Sequence, residues 1–242
     1  MVRAGSLLAL LAALAVYYAV AERLPDLSLW AEVAFLALVL LPAAFLLVWL
    51  LLPLWRVGTW RLGWAVIALA AVTTALELLD LDVAANFTKL VTVALAGWWF
   101  LAFFEAATWV LLVALLIVPV DILSVARGPT KHIVEEQPEV FNLLSIGFPI
   151  PGEHASAQLG LPDVLFFALF LGAADRFGLR VAWTWIAMTL SFGVTLAAAV
   201  WLDVGGLAAL PLLSAAFVLA NADLLWRTFK ARGVEDPGPP PG

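Results

Sequence analysis

Two aspartates in otherwise apolar stretches carry the chemistry this sequence can offer. Asp121 lies in LLVALLIVPVDIL and Asp163 in LGLPDVLFF. An ionisable side chain inside a membrane span is costly and marks function by default. Asp121 stands six residues before Arg127, about 9 Å inside that end of a helix at 1.5 Å per residue. If the next helix begins near Gly160, Asp163 is ~5–8 Å in from the same membrane face. The two carboxylates therefore reach similar depth on consecutive helices. Held a few ångströms apart, they cannot both ionise cheaply, so one keeps its proton while the other stays charged. The charged one can take a proton from water and the protonated one can give its proton to a carbonyl oxygen, which together hydrolyse a peptide bond. The same pair could relay protons or bind a cation in a transporter. The remaining acidic residues near span ends, Glu32, Glu77, Asp80, Glu105 and Asp203, read as solvated helix ends.

The elements that must position this pair are membrane helices. Of the 242 residues, 65% are hydrophobic and 12% charged, and the mean hydropathy is +1.07. Soluble domains carry roughly 45–50% apolar and about 25% charged residues. The expected fold is therefore all-α and polytopic. Eight stretches are apolar enough to be spans: 5–21, 29–53, 60–79, 88–104, 108–126, 160–175, 180–201 and 206–227. The fourth and fifth nearly touch, which predicts a tight hairpin around Glu105–Thr108. The first also fits a signal peptide, with Arg3 ahead of it and Ala19-Val20-Ala21 at its end. Seven of the twelve tryptophans sit near span ends, as an aromatic belt places them.

Cysteine is absent, His132 and His154 share one polar segment, and no metal-ligand spacing occurs, so neither metal nor cofactor is expected. A net charge of −6 argues against nucleic acid as a partner. With eight spans, the termini share a face with Arg3, Arg56, Arg61, Arg176, Arg180, Arg227, Lys230 and Arg232. The opposite face holds Arg23, Lys89, Arg127 and Lys131, so the termini are expected in the cytoplasm. The connection 127–159 is long and partly apolar, which places it against the membrane or the helix ends. The tail from 228 is expected to be disordered, since it ends in VEDPGPPPG.

Prolines flank both aspartates. Pro119 frees the carbonyl of Leu115 within its helix. Pro162 falls in the first helical turn, where its missing N–H costs nothing. Pro211 follows the small-residue run 205–210, which lets backbones approach closely.

Three stretches together resemble the presenilin and signal-peptide-peptidase family of intramembrane aspartyl proteases, in its prokaryotic, presenilin-like form. VPVDILSVARGPTKHIVEE (118–136) looks like the family's first aspartate helix, LGLPDVLFFALFLGAA (159–174) like its Gly-x-Gly-Asp helix, and LAALPLL (207–213) like its Pro-Ala-Leu-Pro stretch. The resemblance covers 87–227, with 1–86 as additional N-terminal helices. It implies that Asp121 and Asp163 are the catalytic pair. It also implies that Gly160, Leu161 and Pro162 form the turn that sets Asp163, and that Ala209, Leu210 and Pro211 line the substrate cleft. The implied substrates are transmembrane helices of other proteins, cut in the lipid of a prokaryotic plasma membrane. SIGFPI or SAQLG would hold such a substrate as an extended strand. The chain differs from the family in having Val120 for tyrosine, Pro162 for glycine, Ala208 for proline, and eight spans for nine. Two alternatives stand beside cleavage: a presenilin-like binder of membrane helices that does not cut, and a proton- or cation-coupled transporter.

Overall fold

A computed structural model describes residues 2–127, 143–204 and 207–234. The chain is all-α and polytopic, with eight helices and one short β-hairpin among the described residues. The helices are α1 (Val2–Val20), α2 (Leu29–Val57), α3 (Thr59–Leu78), α4 (Asp82–Leu101), α5 (Ala107–Arg127), α6 (Leu161–Arg176), α7 (Val181–Trp201) and α8 (Leu210–Val234). Seven are long and apolar enough to cross a membrane; α6, at 16 residues, is shorter. The exposed large apolar side chains on α3, α5, α7 and α8 form the lipid-facing surface such a bundle requires. α2 is continuous through a π-helical turn at Leu36–Leu40 and ends in 3-10 geometry at Leu52–Val57.

α6 is the centre of the bundle. Val164 and every residue from Phe167 to Ala174 are buried. Phe167 stacks on Phe45 of α2 with centroids 4.0 Å apart, and Phe170 stacks on Phe217 of α8 at 4.8 Å. Trp98 of α4 is buried against α6, and its indole N–H donates to Ala168 O (2.9 Å). It lies in the core, apart from the exposed tryptophans near the helix ends. A Cβ at Gly97 would overlap the Leu165 carbonyl, so glycine there sets the close approach of α4 to α6.

α4 and α6 run parallel. Trp98 lies level with Ala168, and Arg176 Nη1 donates to Leu101 O (2.6 Å). Seven residues back from Trp98 and Ala168, Val91 lies level with Leu161. The segment from Asp82 to Leu90 therefore extends about two turns beyond the start of α6. This extension corrects the expected start of the fourth span at 88. Asn86, Thr88 and Lys89 lower the hydropathy there, yet Lys89 is buried. The tight connection between α4 and α5 is present, from Ala102 to Ala106, but the two helices do not pack together as a hairpin. α5 instead packs along α8. α8 begins at Leu210 and continues to Val234, so the helix extends past 227 into the stretch expected to be disordered.

The hairpin fills the height that α6 leaves free. β1 (Ser145–Pro149) pairs antiparallel with β2 (Ser156–Gly160), and Ser145 lies opposite Gly160. SIGFP and SAQLG are thus partners of each other. β1 is buried while β2 lies on the outside. The tip docks on the link between α1 and α2, where Gly152 N–H donates to Ala21 O (2.9 Å). Gly152 has φ +81° and leaves no room for a Cβ beside Asp26. His154 at the tip lies 3.3 Å from Glu22, and His132 falls outside the described residues.

Candidate active site

Asp121 is placed by the periodicity of α5. Ala107, Val110 and Ala114 are buried at helical spacing, and Asp121 continues that face two turns further on. The face is turned toward α8. The Leu210 N–H donates to Asp121 Oδ2 (3.0 Å), so the carboxylate caps the first turn of α8 from another helix. Leu210 and Pro211 are the first two helical residues of α8, and Ala209 accepts the Leu213 N–H (3.0 Å). Three residues expected in the cleft, Ala209, Leu210 and Pro211, therefore stand at Asp121.

Asp163 is placed by the hand-over from strand to helix. Gly160 ends β2 in extended geometry (φ −61°, ψ 141°) and is the N-cap of α6. Leu161, Pro162 and Asp163 form the first turn. Among the described residues the positive-φ positions are Asp80, Asp203, Gly58, Gly152 and Gly178, so this turn contains none. Pro162, with φ fixed near −65°, fits its place in the first turn of α6. Gly160 is needed for a different reason: a Cβ there would stand 3.2 Å from Asp163 Oδ2. The carboxylate folds back over Gly160, on the side an acidic residue at the third helical position takes in a capping box.

That contact fixes the side of the strand on which the carboxylate lies. Leu161 N–H donates to Leu144 O (3.0 Å), and Ile150 N–H to Ala155 O (3.3 Å). An antiparallel ladder alternates. Residues 157 and 159 therefore face β1, while Ser156, Gln158 and Gly160 direct their N–H and C=O groups outward. Asp163 turns back toward Gly160, whose N–H points outward, and so lies at the outward edge of β2. Among the described residues, nothing partners the outward backbone groups of Ser156 and Gln158.

Asp121 and Asp163 are both half-buried and near enough to interact electrostatically. Each stands at the start of a helix. Below them, the buried apolar run Phe167–Ala174 closes the bundle toward the other membrane face. Beside them, α5 shares no packed interface with α4, and Leu115, Leu116, Val120 and Leu123 of α5 are exposed.

The other acidic residues have structural roles. Glu77 pairs with buried Lys89 rather than standing free in solvent. Asp80 and Asp203 adopt φ 55° and 52° and close the C-termini of α3 and α7. The 6→1 bonds of that closure run from Leu81 N–H to Leu76 O (3.0 Å) and from Val204 N–H to Ala199 O (3.1 Å). The residues that sequence reasoning missed are those that hold the hairpin: Tyr17, Tyr18 and Asn86. Their one sequence signal is polar atoms inside apolar helices.

No protein-family model matches the chain, and no curated protein and no solved structure matches it either. The site is therefore read from its own geometry.

Proposed function

We propose that the protein is an intramembrane aspartyl protease that cuts transmembrane segments of other proteins. The observation that carries this reading is the position of Asp163 on the free edge of β2, next to Asp121. A substrate segment unwound from its helix can add to Ser156–Gln158 by backbone pairing. The strand then delivers a peptide bond to the carboxylates about two residues, ~7 Å, beyond its partner at Gln158. One carboxylate takes a proton from water as that water attacks the carbonyl carbon. The other gives its proton to the carbonyl oxygen. Collapse of the tetrahedral intermediate breaks the C–N bond, and the amine leaves with a proton. The lateral way in from lipid would lie between α4 and α5, which share no packed interface. The likeness of 118–136, 159–174 and 207–213 to the presenilin and signal-peptide-peptidase family supports the same reading and suggests a prokaryotic plasma membrane.

A second reading has its own observation. Because Asp121 and Asp163 each stand at a helix start, both have a structural use without chemistry, as a binder that does not cut would need. Transport is disfavoured by the buried apolar run Phe167–Ala174 of α6 below the pair.

The test is cleavage of a single-span reporter by purified protein in detergent, with Asp163→Asn alongside. Product from the parent chain and none from the variant is expected. Bound but intact reporter with both would establish the non-cutting binder.

A further inference from the structure

β1 packs against the two turns of α4 that extend beyond α6, which puts the hairpin at membrane depth. Irregular or unpaired backbone is tolerated there only where protein covers it or water fills the space beside it. Four outward groups of β1 are met by side chains. Lys89 Nζ donates to Ser145 O (3.3 Å), and Gly147 N–H donates to Asn86 Oδ1 (3.1 Å). Tyr18 OH donates to Gly147 O (2.9 Å), and Tyr17 OH to Pro149 O (2.6 Å). Pro149 has no N–H to satisfy. The four side chains come from α1 and α4 and stand where a third strand would. Lys89 is itself held by Glu77 of α3. Among the described residues, the outward groups of Ser156 and Gln158 on β2 have no such cover.

We propose that Tyr17, Tyr18, Asn86 and Lys89 are positioning residues that act as a substitute strand on β1. They leave the hairpin a single free edge and hold that edge against the carboxylate pair. The inference rests on the cleavage reading above. β2 is tied to Asp163 through the chain, but its angle to Asp121 on α5 is not. That angle depends on where β1 is fastened, and β1 is fastened by these side chains and by the tip at Ala21. Loosening them lets the substrate strand swing relative to Asp121, so neighbouring peptide bonds reach the pair. It also uncovers a second edge on which a substrate would bind out of reach of Asp163.

The experiment compares the parent chain with Asn86→Ala, Tyr17→Phe/Tyr18→Phe and Asn86→Asp, which keeps an acceptor for Gly147. Product termini from the reporter are read by mass spectrometry, and amide exchange is read at Gly147. The expected result is one dominant cleaved bond for the parent. Asn86→Ala and the double phenylalanine variant give products spread over adjacent bonds. Removing one hydrogen bond speeds exchange at Gly147 about five- to tenfold in Asn86→Ala. Asn86→Asp restores the parent pattern in both readouts. Faster exchange with an unchanged set of products would overturn the positioning role and leave the cleavage reading intact. If Asn86→Ala does not fold, the double phenylalanine variant, which loses only two hydroxyls, decides the question by its products. A parent chain that binds the reporter without cutting it removes the cleavage reading and this inference together.

Discussion

At the scale of single residues, the aspartates would combine the proposed chemistry with places at helix starts, and the two uses can be separated by substitution. Asp121→Asn keeps an oxygen to accept the Leu210 N–H, whereas Asp121→Ala does not. Both variants lose cleavage, and the alanine form is also less stable by ~1 kcal/mol, the usual cost of a lost cap. Thermal unfolding in detergent distinguishes them. Cleavage by the parent chain should be bell-shaped in pH. Below the lower apparent pKa of the pair both carboxyls carry protons, and above the upper one neither does; a flat profile across acid and neutral pH excludes the shared-proton mechanism. Gly160→Ala places a methyl 3.2 Å from Asp163 Oδ2. The carboxylate must then move by a few tenths of an ångström, and because misplacement by 1 Å costs about a hundredfold, kcat should fall roughly tenfold. Pro162→Gly should keep activity, because the turn has no positive φ that glycine alone supplies.

At the scale of elements, helix ends and the hairpin carry distinct, measurable energies. Asp80 and Asp203 pay for left-handed geometry that glycine adopts freely, so Asp80→Gly and Asp203→Gly should each stabilise the fold by up to ~1 kcal/mol. An unchanged or lowered melting temperature would show that the aspartate side chains contribute more than their backbone strain costs. The helices around the pair were legible from hydropathy and from the spacing of the two aspartates. The start of α4 was not. Polar Asn86, Thr88 and Lys89 look like a solvated approach to the membrane until β1 is seen against them. The family resemblance pointed to SIGFPI or SAQLG as an edge for a substrate strand, but their mutual pairing was not legible. Nor was the seal, because Tyr17 and Tyr18 reach β1 across most of the chain and leave no local pattern. Glu77 was misread for the same reason: its partner Lys89 belongs to the next helix and is buried.

At the scale of the whole molecule, the eight helices place both termini on the face opposite the hairpin tip. The excess of arginine and lysine on the terminal face leads to the expectation that this face is cytoplasmic. The chain has no cysteine, so single-cysteine variants report without background. Glu153→Cys should be labelled by an impermeant thiol reagent added outside intact cells, and Pro240→Cys only after the cells are opened. The reverse pattern would invert the assignment without disturbing the fold.

The shortness of α6 reaches beyond the protein. Sixteen residues span about 24 Å, against ~30 Å of hydrocarbon in an ordinary bilayer. The missing height is taken up by a hairpin whose outer strand, among the described residues, has polar backbone groups without partners, so lipid cannot seal against it. The surrounding leaflet must thin there or give way to water. Acyl-chain length then becomes a control on the proposed cleavage. Vesicles of shorter-chain lipid should hydrate the free edge and speed cleavage, and long-chain lipid should slow it without touching a single residue of the site.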